Sequence, residues 1–379
     1  MKYCKKCVMA STRPDIVFDA NGICDACHSA VEKDTTDWRE REDEFREFVD
    51  WAQSEARRRG NAHDCVVAVS GGKDSTYIVL KCIEYGLRPL CVSFEPTRMT
   101  KIGQKNLENL QRYTDVIQYK KDRSIYKQLG LIGFRTLGDH DWPNHLGIFT
   151  TPVKMACSVN MPLILYGENC QAEYGGPDDA CRHTQTIDRR WMEEFGGLLG
   201  MRVSDLLDMG FDERDLAPYT YPTDSELKAK GIRGVFLGYF FRWDVRKQLD
   251  YVKAHGFSVR ETPVEGSYWE FENLDCALVG IHDMMKFRKF AFGRATDQVS
   301  LDIRNSGLAR SDAVDVVNRL DGKYSDELIS MFCDHFGITR QKFDQVVLAF
   351  TNKDLFEADE QGNLVMENMN RPLKKFPTV

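Results

Sequence analysis

A short apolar segment that runs directly into a glycine-rich turn constrains the fold of this chain more than any other feature. Residues 65–69, CVVAV, are followed by residues 70–75, SGGKDS, and then by a segment with helical character. An uninterrupted apolar, β-branched run is typical of a parallel strand that is buried on both faces. Glycines after such a strand let backbone N–H groups approach an anion, and the N-terminus of the next helix adds a favourable dipole. The pattern predicts an α/β fold with a phosphate-binding loop.

The polar residues of this loop are suited to phosphate and to a metal ion. Lys73 offers a point charge, and Ser70 and Ser75 offer hydroxyl groups. Asp74 has a reason to lie beside phosphate only if it holds Mg²⁺ or caps the helix. The spacing fits neither GxxxxGK[ST] nor GxGxxG, which excludes a Walker A loop and a dinucleotide-binding loop. We expect Lys73 and Asp74 to be exposed, so that their substitution affects binding and chemistry rather than core packing.

Strand-like and helix-like segments alternate along the central part of the chain. Strands are expected at 65–69, 88–94, 115–119, 162–166 and 235–240. Helices are expected at 34–59, 76–85, 103–113 and 243–255, and the region after residue 270 is expected to be mostly helical. Because strands that alternate with helices form βαβ units, we expect a parallel sheet.

The length allows more than one structural unit. At about 150 residues per domain, a chain of 379 residues has room for two or three units. The predicted division is a zinc-ribbon module at 1–33, a linker helix at 34–60, the α/β domain at 61–260 and a helical C-terminal region at 261–379.

Four of the twelve cysteines fall near the N-terminus, as Cys4, Cys7, Cys24 and Cys27. Two CxxC pairs at this spacing can place four thiolates around Zn²⁺, and the turn residues between them predict a short hairpin. So short a segment buries too little apolar surface to fold without a metal. We expect a structural zinc ion, because four cysteines leave no open position for water. Free thiols and an iron–sulfur cluster are the alternatives.

Charge and hydrophobicity limit the expected partners. The formal net charge is −7, which argues against a broad nucleic-acid-binding surface. No apolar run reaches the roughly 18 residues of a membrane span, and Met1–Val8 lacks an apolar signal region. We therefore expect a cytoplasmic protein without a membrane span.

The strand, the SGGKDS loop and the following helix resemble the PP-loop of the ATP-pyrophosphatase superfamily, an adenine nucleotide alpha hydrolase-like fold. Its members include asparagine and GMP synthetases and tRNA thiolation enzymes. The resemblance implies that the loop holds the pyrophosphate of ATP, with Asp74 as a ligand of Mg²⁺, while a substrate oxygen is adenylylated. The ATP-binding residues that it implies are Ser70, Gly71, Gly72, Lys73, Asp74, Ser75, Ser93 and Phe94.

A second acidic turn follows the strand at 162–166. It reads Gly167-Glu168-Asn169, with Glu173 shortly after, and it looks like the acidic turn of asparagine synthetase. Open α/β sheets bind ligands at the carboxyl ends of their strands. Glu168 is therefore a candidate catalytic residue that holds Mg²⁺ or orients the acceptor, and Glu173 is a further candidate. A helix-capping role is the alternative.

Over nearly its full length the chain resembles the N-acetyl sugar amidotransferase family of surface-polysaccharide and lipopolysaccharide biosynthesis. The resemblance rests on both cysteine pairs, on 64–75, on 166–176 and on 286–304, KFRKFAFGRATDQVSLDIR. It implies an ATP-dependent ligase that converts the acetamido group of a sugar, expected to be nucleotide-linked, into an acetamidino group. It also implies that a separate glutaminase subunit, alone or with a channel-forming subunit, supplies ammonia. No GxCxG elbow for glutamine hydrolysis occurs in the chain.

The block at 286–304 is rich in basic residues that can close over a triphosphate or bind an anionic sugar. Arg294 is the candidate catalytic residue within it, and a solvated helix face is the alternative. The pairs Arg182-His183 and Arg189-Arg190 could meet sugar or phosphate, with surface charge as the alternative.

Two other functions remain as alternatives. A tRNA thiolation enzyme would also combine a PP-loop with CxxC pairs, and Cys170 or Cys181 would then be its catalytic thiol. The net acidic charge and the lack of a dense Lys/Arg run argue against it. A non-catalytic scaffold is disfavoured by the intact Lys73 and Asp74.

Overall fold

The central element of the structure, a computed structural model, is a five-stranded parallel sheet with strand order β3-β2-β1-β4-β5. The structure describes residues 1–176, 183–187, 189, 193, 196–305, 307–368 and 370–375. The five strands are β1 Cys65–Ala68, β2 Pro89–Phe94, β3 Asp115–Tyr119, β4 Leu163–Tyr166 and β5 Arg233–Phe236. The parallel α/β sheet predicted from the sequence is therefore confirmed.

Helices surround the sheet and form most of the C-terminal part. Before β5 they are α1 Asp25–Thr35, α2 Trp38–Arg58, α3 Lys73–Glu84, α4 Lys101–Leu110, α5 Arg123–Leu137, α6 Trp142–Ser158, α7 Cys170–Tyr174, α8 Glu213–Leu216 and α9 Asp224–Lys230. After β5 they are α10 Leu237–Phe240, α11 Val245–Ala254, α12 Val279–Phe290, α13 Arg294–Asn305, α14 Arg310–Leu320, α15 Asp326–Phe336 and α16 Arg340–Phe350. A small antiparallel pair, β6 Met366–Asn368 and β7 Arg371–Pro372, follows.

Strand β1 is buried on both faces, as its apolar sequence predicts. Val67 packs in a cluster that includes Phe45 of α2, whereas Val66 packs on the other side with Val153 of α6. In register, Val66 lies between Leu90 of β2 and Ile164 of β4. The strand that leads into the glycine loop is thus fixed from four directions.

Several predicted boundaries differ from the structure. The helix expected at 34–59 is present as α2 but begins at Trp38, because the Asp37 side chain accepts hydrogen bonds from the backbone N–H groups of Arg39 and Glu40 and so starts α2. The preceding helix α1, which ends at Thr35, was not expected. The strand expected at 235–240 ends at Phe236, and the chain continues as α10. A short apolar run does not by itself distinguish a buried strand from a buried helical turn.

Two central helices, α5 and α6, had no clear signal in the sequence. Gly130 and Gly133 interrupt the apolar stripe of α5, and α6 is buried on most of its sides. A helix that is buried on most sides shows little alternation of apolar and polar residues with the helical period.

The hairpin expected within the cysteine module does not form a regular pair of strands. The structure has only the isolated bridges Tyr3–Ala10 and Phe18–Cys24 in this module.

The region after residue 270 is mostly helical, as expected. Phe134 of α5 lies in its core with Phe332, Phe336 and Phe343, and thereby joins this region to the α/β part. No helix among the described residues has the length and apolar character needed to cross a membrane.

Candidate active site

The glycine loop lies at the switch point of the sheet. Strand β1 pairs with β2 on one side and with β4 on the other, so the connections leave in opposite directions at the carboxyl ends of β1 and β4. In open α/β sheets this is where a ligand crevice forms. The loop at 70–75 and the turn at 167–169 therefore border one crevice, which we call the switch-point crevice.

The glycine loop is held in a conformation that only glycine permits at one position. Gly71 has φ +86°, and a side chain there would collide with the backbone oxygen of Gly103. Asn106 fixes the loop by donating from Nδ2 to the Gly71 oxygen at 3.2 Å. Gly72 caps α3 without a side-chain hydrogen bond, which leaves N–H groups of the first turn for an anion. Ser75 stabilises the conformation of the loop, since its Oγ donates to the Gly72 oxygen at 3.1 Å.

Lys73 is buried, contrary to the expectation of an exposed side chain. Only 2% of the residue is exposed, and its Nζ donates to Oε1 of Gln248 at 2.9 Å. Nζ also forms an ion pair with Asp74, whose side chain is 36% exposed. The lysine begins a helix whose inner face packs against α11, and this packing draws its side chain inward. Asp74 is therefore the accessible charged group of the loop.

The negative charge of Asp74 acts on two other carboxylates of the crevice. Burial, and next the negative charge of Asp74, raise the pKa of Glu168 to about 8. Burial also raises the pKa of Glu272, with Asp74 contributing and Arg294 opposing. Mg²⁺ uses one or two carboxylates together with water and phosphate oxygens, so Asp74 and Glu168 are candidate ligands for it.

Glu173 is already engaged elsewhere. Its carboxylate forms an ion pair with Lys33 of α1, and its backbone oxygen accepts from Arg304. The residue is 5% exposed. This arrangement leaves Glu168 as the available carboxylate of the β4 turn.

Arg294 lies within an ion-pair network and is not on a solvated helix face. Its Nη2 lies 2.9 Å from Oδ1 of Asp283, a side chain that is completely buried. Burial would lower the pKa of Arg294, but Asp283 and Glu272 raise it above its usual range. Nearby, Asp297 pairs with Arg13 at 2.8 Å. The guanidinium is thus held in place beside the carboxylates of the crevice.

At the end of β2, the side chains of Ser93 and Phe94 are enclosed by the protein, so this strand can offer a ligand mainly its backbone groups. Ser93 is fully buried, and its Oγ has no hydrogen-bond partner among the described residues. The Phe94 ring packs against Tyr119, Tyr126 and Tyr219. A ring enclosed in this way is unavailable for stacking on a base, so any contact with adenine would come from the backbone.

The four N-terminal cysteines converge as expected. All four sulfurs are buried and lie within 4.8 Å of one another. Cys4 and Cys27 are separated by 3.9 Å, and Cys7 and Cys24 by 3.7 Å, measured between Sγ atoms. A tetrahedral zinc ion with Zn–S bonds of about 2.3 Å places its sulfurs about 3.8 Å apart. The cluster therefore fits a closed, structural zinc site.

Groups around the cluster stabilise thiolates. The backbone N–H groups of Cys7 and Cys24 point to Sγ of Cys4 at 3.4 and 3.3 Å. Burial would lower the pKa of Arg304, but the thiolates of Cys7 and Cys27 raise it. Arg304 thus supplies a buried positive charge that offsets the excess negative charge of four thiolates around a divalent ion.

The cysteine module lies against the same network as the switch-point crevice. Thr12 donates to the backbone oxygen of Phe290 at 2.5 Å, and the guanidinium of Arg13 lies 5.0 Å from the ring centre of Tyr174. Asp25 of α1 accepts from the backbone N–H of Gly176 at 3.0 Å. The module therefore buttresses the segment that follows β4.

Two of the remaining candidates that the structure describes have partners elsewhere, and a third is a buried thiol. His183 is exposed and lies 3.5 Å from Glu32, and Arg189 pairs with Glu193 at 2.8 Å. Burial raises the pKa of Cys170 to about 11, which disfavours a reactive thiolate. The other three candidates, Cys181, Arg182 and Arg190, lie outside the described residues.

Glu272, Gln248 and Asp283 are site residues that the sequence did not reveal. None of the three belongs to a recognisable sequence motif. Tertiary packing brings them near the glycine loop at 70–75. Asp283 and Gln248 lie on helices, whereas Glu272 lies in an irregular segment. No spacing rule links positions so far apart in the chain.

A family comparison covers the C-terminal part of this site. Residues 265–371 match the family model described as "LPS biosynthesis protein WbpG-like, C-terminal domain". The C-terminal part of the chain is similar to that of lipopolysaccharide-biosynthesis proteins. The matched segment contains Glu272, Asp283 and Arg294. No curated protein matches the chain.

Proposed function

We propose that the protein is an ATP-dependent amidotransferase of lipopolysaccharide or related surface-polysaccharide biosynthesis. The proposed substrate is an N-acetylated, nucleotide-linked sugar, and the products are an acetamidino sugar, AMP and PPi. One observation carries the proposal. The glycine loop and the Glu168 turn border one crevice, beside Arg294 from the segment similar to lipopolysaccharide-biosynthesis proteins.

The proposed chemistry solves a specific problem, because an amide carbonyl is a poor electrophile. The amide oxygen attacks the α-phosphorus of ATP, the bond to the β-phosphate oxygen breaks, and PPi leaves. Ammonia then adds to the resulting O-adenylyl imidate, and the C–O bond breaks to release AMP. The amidine keeps the new nitrogen, and the proton lost from ammonia passes to solvent or to a basic group. Catalysis of this kind needs positioning and charge stabilisation, not a protein nucleophile.

The residues of the crevice are suited to these tasks. N–H groups of the glycine loop and of the first turn of α3 would receive the pyrophosphate. Asp74 and Glu168 would hold Mg²⁺, which stabilises the charge that develops on the departing PPi. Lys73 would fix the position of Asp74 and add positive charge, since it is buried directly beneath it. Arg294 would hold an anionic group of the sugar nucleotide through its guanidinium.

Nitrogen is proposed to come from a separate glutaminase subunit, alone or with a channel-forming subunit. Free ammonia is scarce at neutral pH because most of it is protonated, and a partner that hydrolyses glutamine raises its local concentration. The zinc ion proposed for the four cysteines has a structural role, because its four protein ligands leave no open position.

The decisive experiment combines the purified chain with ATP, Mg²⁺ and ammonium chloride. N-acetylated sugars and their nucleotide-linked forms are screened for AMP formation and for the mass change of an oxygen replaced by NH. Formation of both products supports the proposal. AMP formation that requires tRNA and a sulfur donor instead would identify the thiolation enzyme.

A further inference from the structure

A second group of potential metal ligands is formed by residues other than those assigned to the switch-point crevice. Asp139 follows α5, His145 lies in the first turn of α6, and His282 lies on α12. One ligand atom from each of the three lies within 4.8 Å of the others. Residues from two distant parts of the chain thus present two imidazoles and one carboxylate to a single point.

The distances suit a small transition-metal ion. Nδ1 of His282 lies 2.9 Å from Oδ1 of Asp139, and Nδ1 of His145 lies 3.8 Å from Oδ2 of the same carboxylate. Zinc bonds to nitrogen and oxygen of about 2.0–2.1 Å place tetrahedral ligand atoms about 3.3 Å apart. The two observed distances lie on either side of that value, so small side-chain adjustments would complete the geometry.

An unpartnered nitrogen points to a missing ligand. Nδ1 of His145 is buried and has no hydrogen-bond partner among the described residues. Gly197 covers the ring: a Cβ at this glycine would lie 2.7 Å from Nδ1, 3.1 Å from Cγ and 3.2 Å from Cε1. Gly197 therefore packs closely against the imidazole at Nδ1, and a larger residue there would collide with the ring. A buried nitrogen without a partner is destabilising, and a bond to a metal ion would supply the missing partner.

The surroundings orient the three side chains as the outer shell of a metal site does. The backbone N–H of Asp141 donates to Oδ1 of Asp139 at 3.0 Å. The Asp141 carboxylate lies 3.9 Å from Nε2, the other ring nitrogen of His145, and accepts from Asn144 at 3.0 Å. Histidines that bind metals commonly donate their second ring N–H to a carboxylate, and Asp141 is the carboxylate near Nε2 of His145, although 3.9 Å is longer than a hydrogen bond.

A cavity borders the cluster at one of its three residues. His145 lines a cavity of about 520 Å³ that lies between α6 and the segment 198–221. Its other walls include Leu146, Phe149 and Tyr219. The cavity thus places open space beside one of the three potential ligands.

We propose that Asp139, His145 and His282 bind one divalent transition-metal ion with an open coordination position. Two imidazoles and a carboxylate are a ligand set that Zn²⁺ accepts, and three protein ligands with a free fourth position are the arrangement of catalytic zinc sites. The proposed ion is distinct from Mg²⁺, which prefers oxygen ligands alone. It is independent of the amidotransferase proposal, because it concerns binding of the metal itself.

The test counts metal ions per chain. The full chain is stripped with a chelator, dialysed against Zn²⁺ or Co²⁺, freed of excess metal and analysed for bound metal. We expect about two ions per chain, one for each of the two clusters. One ion per chain in the wild-type protein would overturn the proposal.

Single substitutions test whether the second metal ion is bound by the proposed histidines. His145→Ala and His282→Ala should each bind one ion and keep the strong thiolate-to-Co²⁺ charge-transfer absorption of the cysteine cluster. His63→Ala is the matched control, since this histidine lies outside both clusters and pairs with the exposed Asp115, and this variant should bind two ions. If a histidine variant lowers folding, His145→Asn and His282→Asn provide smaller changes. Two ions retained in both histidine variants would place the second ion elsewhere and refute the assignment.

Discussion

Arg13 of the cysteine module donates to Asp297 of α13 at 2.8 Å and so ties the N-terminal cysteine module to the ion-pair network around Arg294. The same Asp297 also pairs with Lys286. Its carboxylate therefore joins the start of the chain to two elements of the C-terminal region. Because the network borders the switch-point crevice, we expect the cysteine cluster to influence the geometry of the candidate active site.

Loss of zinc should destabilise more than the first 33 residues. We expect Cys24→Ser to lower the melting temperature of the whole chain by several degrees and to release zinc, because the module packs against α13. Cys157→Ser is the control, since this buried thiol is remote from the cluster. Thermal unfolding and metal analysis of both variants test the prediction, and equal melting temperatures for the two would contradict it.

Asp74→Asn should abolish AMP formation without unfolding the protein. The side chain is accessible, and a lost ligand of Mg²⁺ removes several kcal/mol of transition-state stabilisation, so we expect a loss of about 100-fold or more. Asp250→Asn, an exposed position on α11, should retain activity. Lys73→Ala should also be inactive, but it should additionally lower stability because Lys73 is buried against Gln248. Near-normal turnover of Asp74→Asn would exclude the loop as the site of pyrophosphate release.

Binding of Mg²⁺ with a nucleotide should release a proton from Glu168. Its pKa in the folded protein, about 8, exceeds the ordinary value of about 4.3, so at pH 7 the carboxyl group is mostly protonated before the cation arrives. Affinity for the cation should therefore fall as the pH decreases below about 8. Calorimetric titration of Mg²⁺ with a non-hydrolysable ATP analogue, in two buffers of different ionisation enthalpy, measures the released protons. Glu168→Gln should lose this release and the exposed Glu47→Gln should keep it; the same proton count in both would argue against Glu168 as a ligand.

Arg294→Ala should be strongly destabilising because it leaves Asp283 buried without its counter-ion. Breaking a buried pair from one side costs about 3–5 kcal/mol. Asp283→Leu combined with Arg294→Met should recover much of the loss, since no isolated charge remains. Urea unfolding measures both variants, with Arg46→Ala of the exposed Arg46–Glu42 pair as a control that should change the unfolding free energy far less. A single variant as stable as the wild-type protein would show that the pair is not a structural requirement.

The isolated chain should use ammonium and should be nearly inert with glutamine. This prediction depends on the proposed amidotransferase activity and on the absence of a recognisable glutaminase motif in the sequence. Alkaline pH should increase the rate with ammonium, since more of the nitrogen is unprotonated. The measurement is the yield of labelled amidine from glutamine labelled at its amide nitrogen. Efficient labelling by the purified chain alone would reveal a glutaminase site within it.

The sequence determined the local parts of this protein because each depends on neighbouring residues. The apolar run at 65–69 predicted a strand buried on both faces, and the two CxxC pairs predicted the sulfur cluster. A glycine turn between a strand and a helix likewise needs only a few residues to be recognised. Roles in ATP binding and catalysis stay predictions for Ser70–Ser75, Glu168 and Arg294.

Only the tertiary structure decided which distant residues meet. Lys73 is buried because α11 packs over it with Gln248, and Glu272 reaches the crevice from a segment without regular structure. Asp139 and His282 are separated by more than a hundred residues, and the packing of α12 against the end of α5 brings them together. Burial, ion pairing and the meeting of potential metal ligands depend on packing between segments that are distant in the chain. The pattern of residues within a single segment therefore does not predict them.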